Sequence, residues 1–306
     1  MTLLLWLGVV LGVLVVIAVG LRVVGAIRWA ELIRTHTGQL ESGRVDDQSP
    51  ANGGLPRLPS AARLDARFHV YELEGLPAPV QRYFRAVLKD GQPIIAAATI
   101  EMAGTINMSA SAAQWKPFTS QQRVVTSVPG ARPGFLWNAQ VNMFPGLPAR
   151  VEDSYIAGQG QLIAKLLGLF TVAHAHGGGE MARGEFMRYF AEAAWYPTAL
   201  LPSQGVRWQA VDDASAKATL VNGAIALTLL FRFNEAGLIA SVRAESRGAG
   251  VGKDMVMLPW DCALSDYQPR DGMLIPMTGE AAWMRPDGRK AYFVGHVKKL
   301  SYAFLP

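Results

Sequence analysis

The chain has 306 residues, 50% hydrophobic and 17% charged, with a formal net charge of +5. That is enough apolar material for one large domain or two small ones, while the lack of any block of like charge argues against a nucleic-acid-binding arm. The single cysteine, Cys262, excludes an intrachain disulfide and a cysteine-rich metal site.

Leu3 to Leu21, "LLLWLGVVLGVLVVIAVGL", carries no charge, and the apolar run continues past Arg22 through Val23, Val24 and Ile27. About 20 apolar residues cross a bilayer core as a helix. A signal peptide would carry a basic start, a shorter core and a small-residue cleavage site. Here the start is Met-Thr, and the basic residues Arg22, Arg28 and Arg34 follow the core. Residues 1–34 therefore read as a retained single-pass anchor with its basic flank, and the lipid bilayer as a partner through residues 3–24. Lysine and arginine gather on the cytoplasmic side, so the flank leans the body towards the cytoplasm. With two residues ahead of the core, the side stays open.

Residues 35–62, rich in Gly, Pro, Ser and Asp, have no apolar period and read as a flexible linker. The body, 63–306, opens with "LPAPVQRYFRAVL". Pro77 and Pro79 suit a helix start, and Val80, Tyr83, Phe84, Val87 and Leu88 repeat at helical spacing. From about residue 94 the period changes to two. Phe135, Trp137, Ala139, Val141 and Met143 fall on one face of a strand, and Ile225, Leu227, Leu229, Phe231 and Phe233 on one face of another. "NEAG" joins the latter to a strand carrying Leu238, Ala240, Val242 and Ala244, which is a hairpin signal. Similar runs occur near 95–108, 119–128, 149–158, 205–221, 256–267, 273–284 and 290–304. The reading is about ten antiparallel strands with short connections.

The fold class is mainly β (α+β). About ten strands at ~4.8 Å make a sheet ~48 Å wide, and each helix covers a strip of roughly 10 Å. Two body helices, 77–88 and 180–194, leave over half the apolar face of a flat sheet wet. The sheet must curl into a half-barrel. Either side chains fill its interior, or a cavity remains for an apolar ligand with the 180–194 helix as lid.

On that helix Phe186, Met187, Phe190, Ala191 and Ala194 form one face, and Glu185, Arg188 and Glu192 the opposite one, Arg188 and Glu192 at pairing distance. Arg183 falls on the apolar side, where a cation needs a partner. It suits either an anionic headgroup at a cavity mouth or an internal ion pair with Glu101, Glu152, Asp153 or Asp266. Trp195, Tyr196 and Pro197 stop the helix, forming a packed corner or a gate. The ligand-binding candidates are Arg183, Phe190, Trp195, Trp137, Tyr155 and Trp260. The three residues His174, His176 and Glu180 form a thin zinc candidate, since a third anchored ligand is wanted. Glu152 and Asp153 point to opposite faces of a strand, the wrong arrangement for paired carboxylates. Nothing here argues for catalysis, and no cofactor is implied.

The segments "LPAPVQRYFRAVL", "WKPFTSQQRVV", "PGFLWNAQVNMFPGLPARVEDSYIAGQGQL", "ARGEFMRYFAEAAWYPTALLPSQGVRW" and "LPWDCALSDYQPRDGMLIPMTGEAAW" together resemble a bacterial family of unknown function over roughly residues 72–304. At fold level the body is similar to the lipoprotein-carrier (LolA/LolB-like) proteins, which implies a curled antiparallel sheet with helices closing an apolar cavity, anchored here at the bacterial inner membrane. Those carriers work outside the cytoplasm, against the lean from Arg22, Arg28 and Arg34. The first functional reading is a tethered, non-enzymatic module that binds a lipid or a lipidated protein. The alternatives are a structural or protein-interaction module with a filled core, and a metal-dependent hydrolase using His174, His176 and Glu180.

Overall fold

The two-residue period resolves into thirteen strands of one antiparallel sheet: β1 (Ile95–Asn107), β2 (Trp115–Val125), β3 (Gly134–Phe144), β4 (Leu147–Ile156), β5 (Gln159–Leu166), β6 (Phe170–Gly177), β7 (Arg207–Asp212), β8 (Ser215–Asn222), β9 (Ile225–Phe233), β10 (Ile239–Ala249), β11 (Val256–Arg270), β12 (Met273–Arg285) and β13 (Gly288–Phe304). Among the described residues three α-helices accompany it: α1 (Thr2–Ser42), α2 (Ala78–Val87) and α3 (Gly179–Ala191). The structure is a computed structural model, and it describes residues 2–43, 66–109, 112–126, 132–144, 146–250 and 255–306.

The strands form two meanders, β1 to β6 and β7 to β13, fused where β1 pairs with β13, for example Ile100 with Leu300. The sheet is not closed. Its edges, β6 and β7, are consecutive in the chain and are linked by α3 and three 3-10 turns, Glu192–Trp195, Pro197–Leu200 and Pro202–Gln204. Asn222, at the end of β8, donates to the Tyr155 hydroxyl on β4 at 2.9 Å, although β8 lies nine places from β4 in the sheet. A flat sheet would hold those strands ~43 Å apart. The contact therefore requires a strong curl, and α3 fills the seam, packing on β4 and β5 on one side and on β9 and β10 on the other.

Strand alternation in a meander places successive turns at opposite ends. At one end α2 acts as a stopper: Pro79, Val80, Tyr83, Phe84 and Val87 are buried, and the Tyr83 ring lies 5.8 Å from that of Phe233 at the end of β9. At the other end the described strand ends Asn107 and Trp115, Phe144 and Leu147, Leu166 and Phe170, Ala249 and Val256, and Arg285 and Gly288 lie around an opening.

Three details differ from the sequence reading. The run 205–221 is a hairpin, β7 and β8, rather than one strand. Two strands, β5 and β6, had no counterpart in the reading. The first carries Gly160 and Lys165 in a short run, and the second is a mostly exposed edge strand with little apolar contrast. The third difference concerns residues 35–42, which continue α1 instead of starting a linker. Their composition is polar because α1 lies on the outer face of β2, β3 and β4, where only a narrow stripe is covered. Trp29 and Leu40 are buried there, Trp29 Nε1 donates to Asn138 at 2.9 Å, and His36 Nδ1 lies 2.8 Å from the fully buried Glu152 carboxylate. Residues 44–62 of the expected linker lie outside the described residues. Before Gly25 the helix leaves the body, and its apolar side chains from Trp6 to Val24 are exposed. By length and composition this part is able to cross a membrane.

Candidate functional site

The curl encloses a chamber of about 150 Å³ between α3 and the inner faces of β3, β4, β11, β12 and β13. Alternation turns Trp137 of β3, Val151 of β4 and Trp260 and Leu264 of β11 into it. Trp195 closes it from the corner after α3: its Nε1 donates to the Pro276 carbonyl at 2.9 Å, and its ring sits on Gly279, where a Cβ would lie 2.8 Å from the indole. The corner is packed, with Tyr196, Thr198 and Leu200 buried. Outward of the chamber a vestibule of about 1,210 Å³ opens between the ends of β1, β2, β10, β11, β12 and β13. The two spaces meet at Ile106, Leu162 and Tyr292.

Two arginines stand inside this apolar enclosure. Arg188 of α3 donates to Asp153 at 2.5 Å, to Glu192 at 2.8 Å and to Gln122 at 3.0 Å, and Gln122 donates in turn to Glu192 at 2.6 Å. Its guanidinium also lies 4.8 Å from the Phe135 ring and 5.0 Å from Trp137. Burial alone would lower its pKa; Glu192, Asp153 and Glu185 outweigh that and raise it above the ordinary arginine value. Arg188 is thus a neutralised, fully engaged cation.

Arg247 of β10 is different. Its side chain is 9% exposed and stacks 4.4 Å over Trp260 and 5.7 Å from Trp283. Its single ion-pair partner among the described residues is Glu185, at 3.5 Å, and its Nε is buried with no acceptor. Burial pushes Glu185 well above the carboxylate range, Asp153 adds to the shift, and Arg247 and Arg188 oppose it. Arg247 is thus a buried cation whose Nε keeps donor capacity to spare, beside the junction of chamber and vestibule. The Trp137 Nε1 in the chamber wall is likewise without an acceptor.

Of the residues the sequence singled out, Trp137, Trp195 and Trp260 line the chamber. Phe190 packs instead on Phe231 at 5.7 Å, and Tyr155 lies in the seam, stacked on Phe186 at 5.0 Å. Arg183 does not reach the cavity. It spans the seam, donating to the Ser246 carbonyl at 3.1 Å and pairing with Glu180 at 3.7 Å, one turn away on its own helix. The zinc candidate is not assembled: His174, His176 and Glu180 are exposed, Glu180 is turned towards Arg183, and no metal-holding group of three His, Cys, Asp or Glu occurs among the described residues. The 180–194 helix is a wall of the chamber and not a lid, since the opening lies at the strand ends. Cys262 lines the chamber, and burial drives its thiol pKa upward, which keeps it protonated.

Arg188 and Arg247 were both missed. The first was placed on a solvent face because a helix on a flat sheet has one; a helix in the seam of a curl has none. The second sits beyond a register break between Ala244 and Arg247. That bulge moves the inward phase from Val242 and Ala244 to Arg247 and Ala249.

A family of unknown function, DUF6920, matches residues 74–302. The chain belongs to the DUF6920 family. This is the family resemblance already visible over residues 72–304. Among solved structures, a LolA superfamily protein from Nitrosomonas europaea is similar in fold, with 9% identity, a TM-score of 0.40 and coverage of 76% of this chain and 96% of that one. A β-barrel-like protein of the domain of unknown function DUF1849 from Brucella abortus shares 10% identity, with a TM-score of 0.28 and coverage of 69% and 98%. No curated protein matches this DUF6920 chain.

Proposed function

We propose that this DUF6920 protein is a membrane-tethered, non-enzymatic module that holds an amphiphile, an acyl chain with an anionic head, inside its curled sheet. The observation that carries the reading is Arg247: a buried guanidinium with an unpaired Nε, beside the junction of an apolar chamber and an open vestibule. A carboxylate or phosphate accepting from it makes a charge-assisted bond worth about 1.5–3 kcal/mol. Trp137, Trp195, Trp260 and Leu264 offer the tail apolar wall, at about 0.8 kcal/mol for each CH₂ buried. The exposed apolar segment of α1 supplies the tether to a cell membrane, through residues 3–24. The reading moves the anionic contact from Arg183 to Arg247 and keeps Trp137, Trp195 and Trp260.

The test is native mass spectrometry of the full chain released from lipid nanodiscs. The expected result is one fatty acid or phospholipid retained per chain, lost in favour of an added long-chain fatty acid. A chain that emerges empty and stays empty with added fatty acid contradicts the reading and leaves a structural module with a filled core.

A further inference from the structure

The opening of the curl and the free part of α1 lie at the same end of the molecule. Gly25 is the point of departure: a Cβ there would lie 1.9 Å from the Leu167 carbonyl, in the turn between β5 and β6, so only glycine lets α1 cross that turn so closely. Arg22, one turn earlier, lies beside Trp115, Lys116, Phe144 and Pro148, at the β1–β2 and β3–β4 turns. Residues before it project beyond these turns.

Exposed apolar side chains of the body gather at that end. Met108, Trp115, Phe144, Leu147, Phe170 and Val256 stand on the turns around the opening, with Phe144 65% and Phe170 57% exposed. Large apolar side chains in water are costly and mark an interaction surface when grouped. At the stoppered end the described residues show Val70, Tyr71 and Val211 instead. The open end carries Arg22, Lys116, Arg285 and Lys290, with Asp287 paired to Lys290 at 2.9 Å, and Lys116 lies 5.3 Å from the Phe144 ring. The stoppered end mixes exposed Asp90, Asp212, Glu235 and Asp271 with exposed Arg67, Arg82, Arg85 and Lys89. Aromatic and apolar side chains mixed with lysine and arginine are what the headgroup boundary of an anionic bilayer accepts.

We infer that the open end of the sheet is seated on the bilayer surface by this rim, so that the vestibule opens into lipid rather than into water. This rests on the reading of α1 as an anchor and deepens the binding proposal, because an amphiphile then passes between bilayer and chamber without crossing water. A helix that leaves the body for the membrane directly before Gly25, with no slack at the rim, holds the opening within reach of the lipid headgroups.

The test uses the full chain in nanodiscs of phosphatidylcholine with phosphatidylglycerol, with a fluorophore on one introduced thiol at a time: Phe144→Cys, Val256→Cys, Leu11→Cys in the anchor and Glu235→Cys at the far end. Unsubstituted protein controls for labelling at the half-buried Cys262. Spin-labelled lipid is expected to quench both rim labels severalfold more than the label at position 235, and close to the anchor label. Adding Lys116→Glu is expected to reduce quenching at position 144 in the anionic discs. Rim labels no more quenched than the one at 235 would overturn the seating, and an unquenched anchor label would overturn the tether as well. Native mass spectrometry on the same samples separates the two ideas. Bound lipid with an unquenched rim refutes the seating alone, and a quenched rim with an empty chamber refutes the cavity reading alone.

Discussion

Arg188 of α3 and Asp153 of β4 meet at 2.5 Å inside the curled sheet, and this pair clasps the helix that joins the two edge strands to the inner wall. The clasp is structural, because Glu192 and Gln122 complete the ring of acceptors around the same guanidinium. Arg188→Met leaves Asp153 and Glu192 buried without a cation. The expected loss is about 3–5 kcal/mol of stability, read as a lower denaturation midpoint of the full chain, with bound lipid falling only as the fold is lost.

Arg247→Met behaves differently. The substituted side chain keeps its apolar length against Trp260, and Glu185, whose burial already favours its protonated form, loses only a long 3.5 Å partner. Fatty-acid affinity is expected to fall roughly 10- to 100-fold, matching one charge-assisted bond. A fatty alcohol of equal chain length is expected to bind the variant and the wild type alike. Titration calorimetry with the pair of ligands separates the head contact from the tail.

Glu185 makes stability depend on pH. Its folded pKa is raised, chiefly by burial, so the folded state holds a proton that the unfolded chain releases. Its contribution is present in full below the ordinary carboxylate pKa and declines as pH rises towards the raised folded value. Glu185→Gln, a neutral mimic of the protonated acid, removes that decline. Thermal melts across a pH series are expected to show the variant gaining on the wild type as pH rises above the ordinary carboxylate pKa, and no gain below it.

The docked half of α1 depends on Gly25. Gly25→Leu forces the helix away from Leu167 and frees Trp29 and Leu40, whose burial is worth about 3 kcal/mol or more together. Hydrogen exchange of the full chain is expected to quicken across residues 28–42 while β11, β12 and β13 keep their protection. Unchanged exchange in that segment would mean the helix is held by other contacts.

The sheet was legible because Phe135, Trp137 and Ala139, or Leu227, Leu229 and Phe231, alternate without interruption, and the curl followed from too few helices to cover the face. The chamber tryptophans were legible for the same reason. What the sequence concealed were changes of phase and of context. The bulge before Arg247 inverts the alternation within two residues, and no single residue there announces it. Arg188, Glu185 and Glu192 form an ordinary charged helix face until the seam encloses it on both sides. The polar residues of α1 after Arg34 look like a tether because the one buried stripe beneath them, Trp29 and Leu40 with His36 on Glu152, is too narrow to impose a period.

The most direct measurement is where a ligand sits in the intact protein. A fatty acid carrying a photoreactive diazirine on its chain is reconstituted with the full chain in liposomes, irradiated, and its adducts are mapped by peptide mass spectrometry. The account predicts adducts on peptides of β3, β11 and the 192–204 corner, those that bring Trp137, Trp260 and Trp195 to the chamber, and their loss in Arg247→Met. Adducts confined to α1 and the rim turns, with the chamber peptides unmodified, would contradict it.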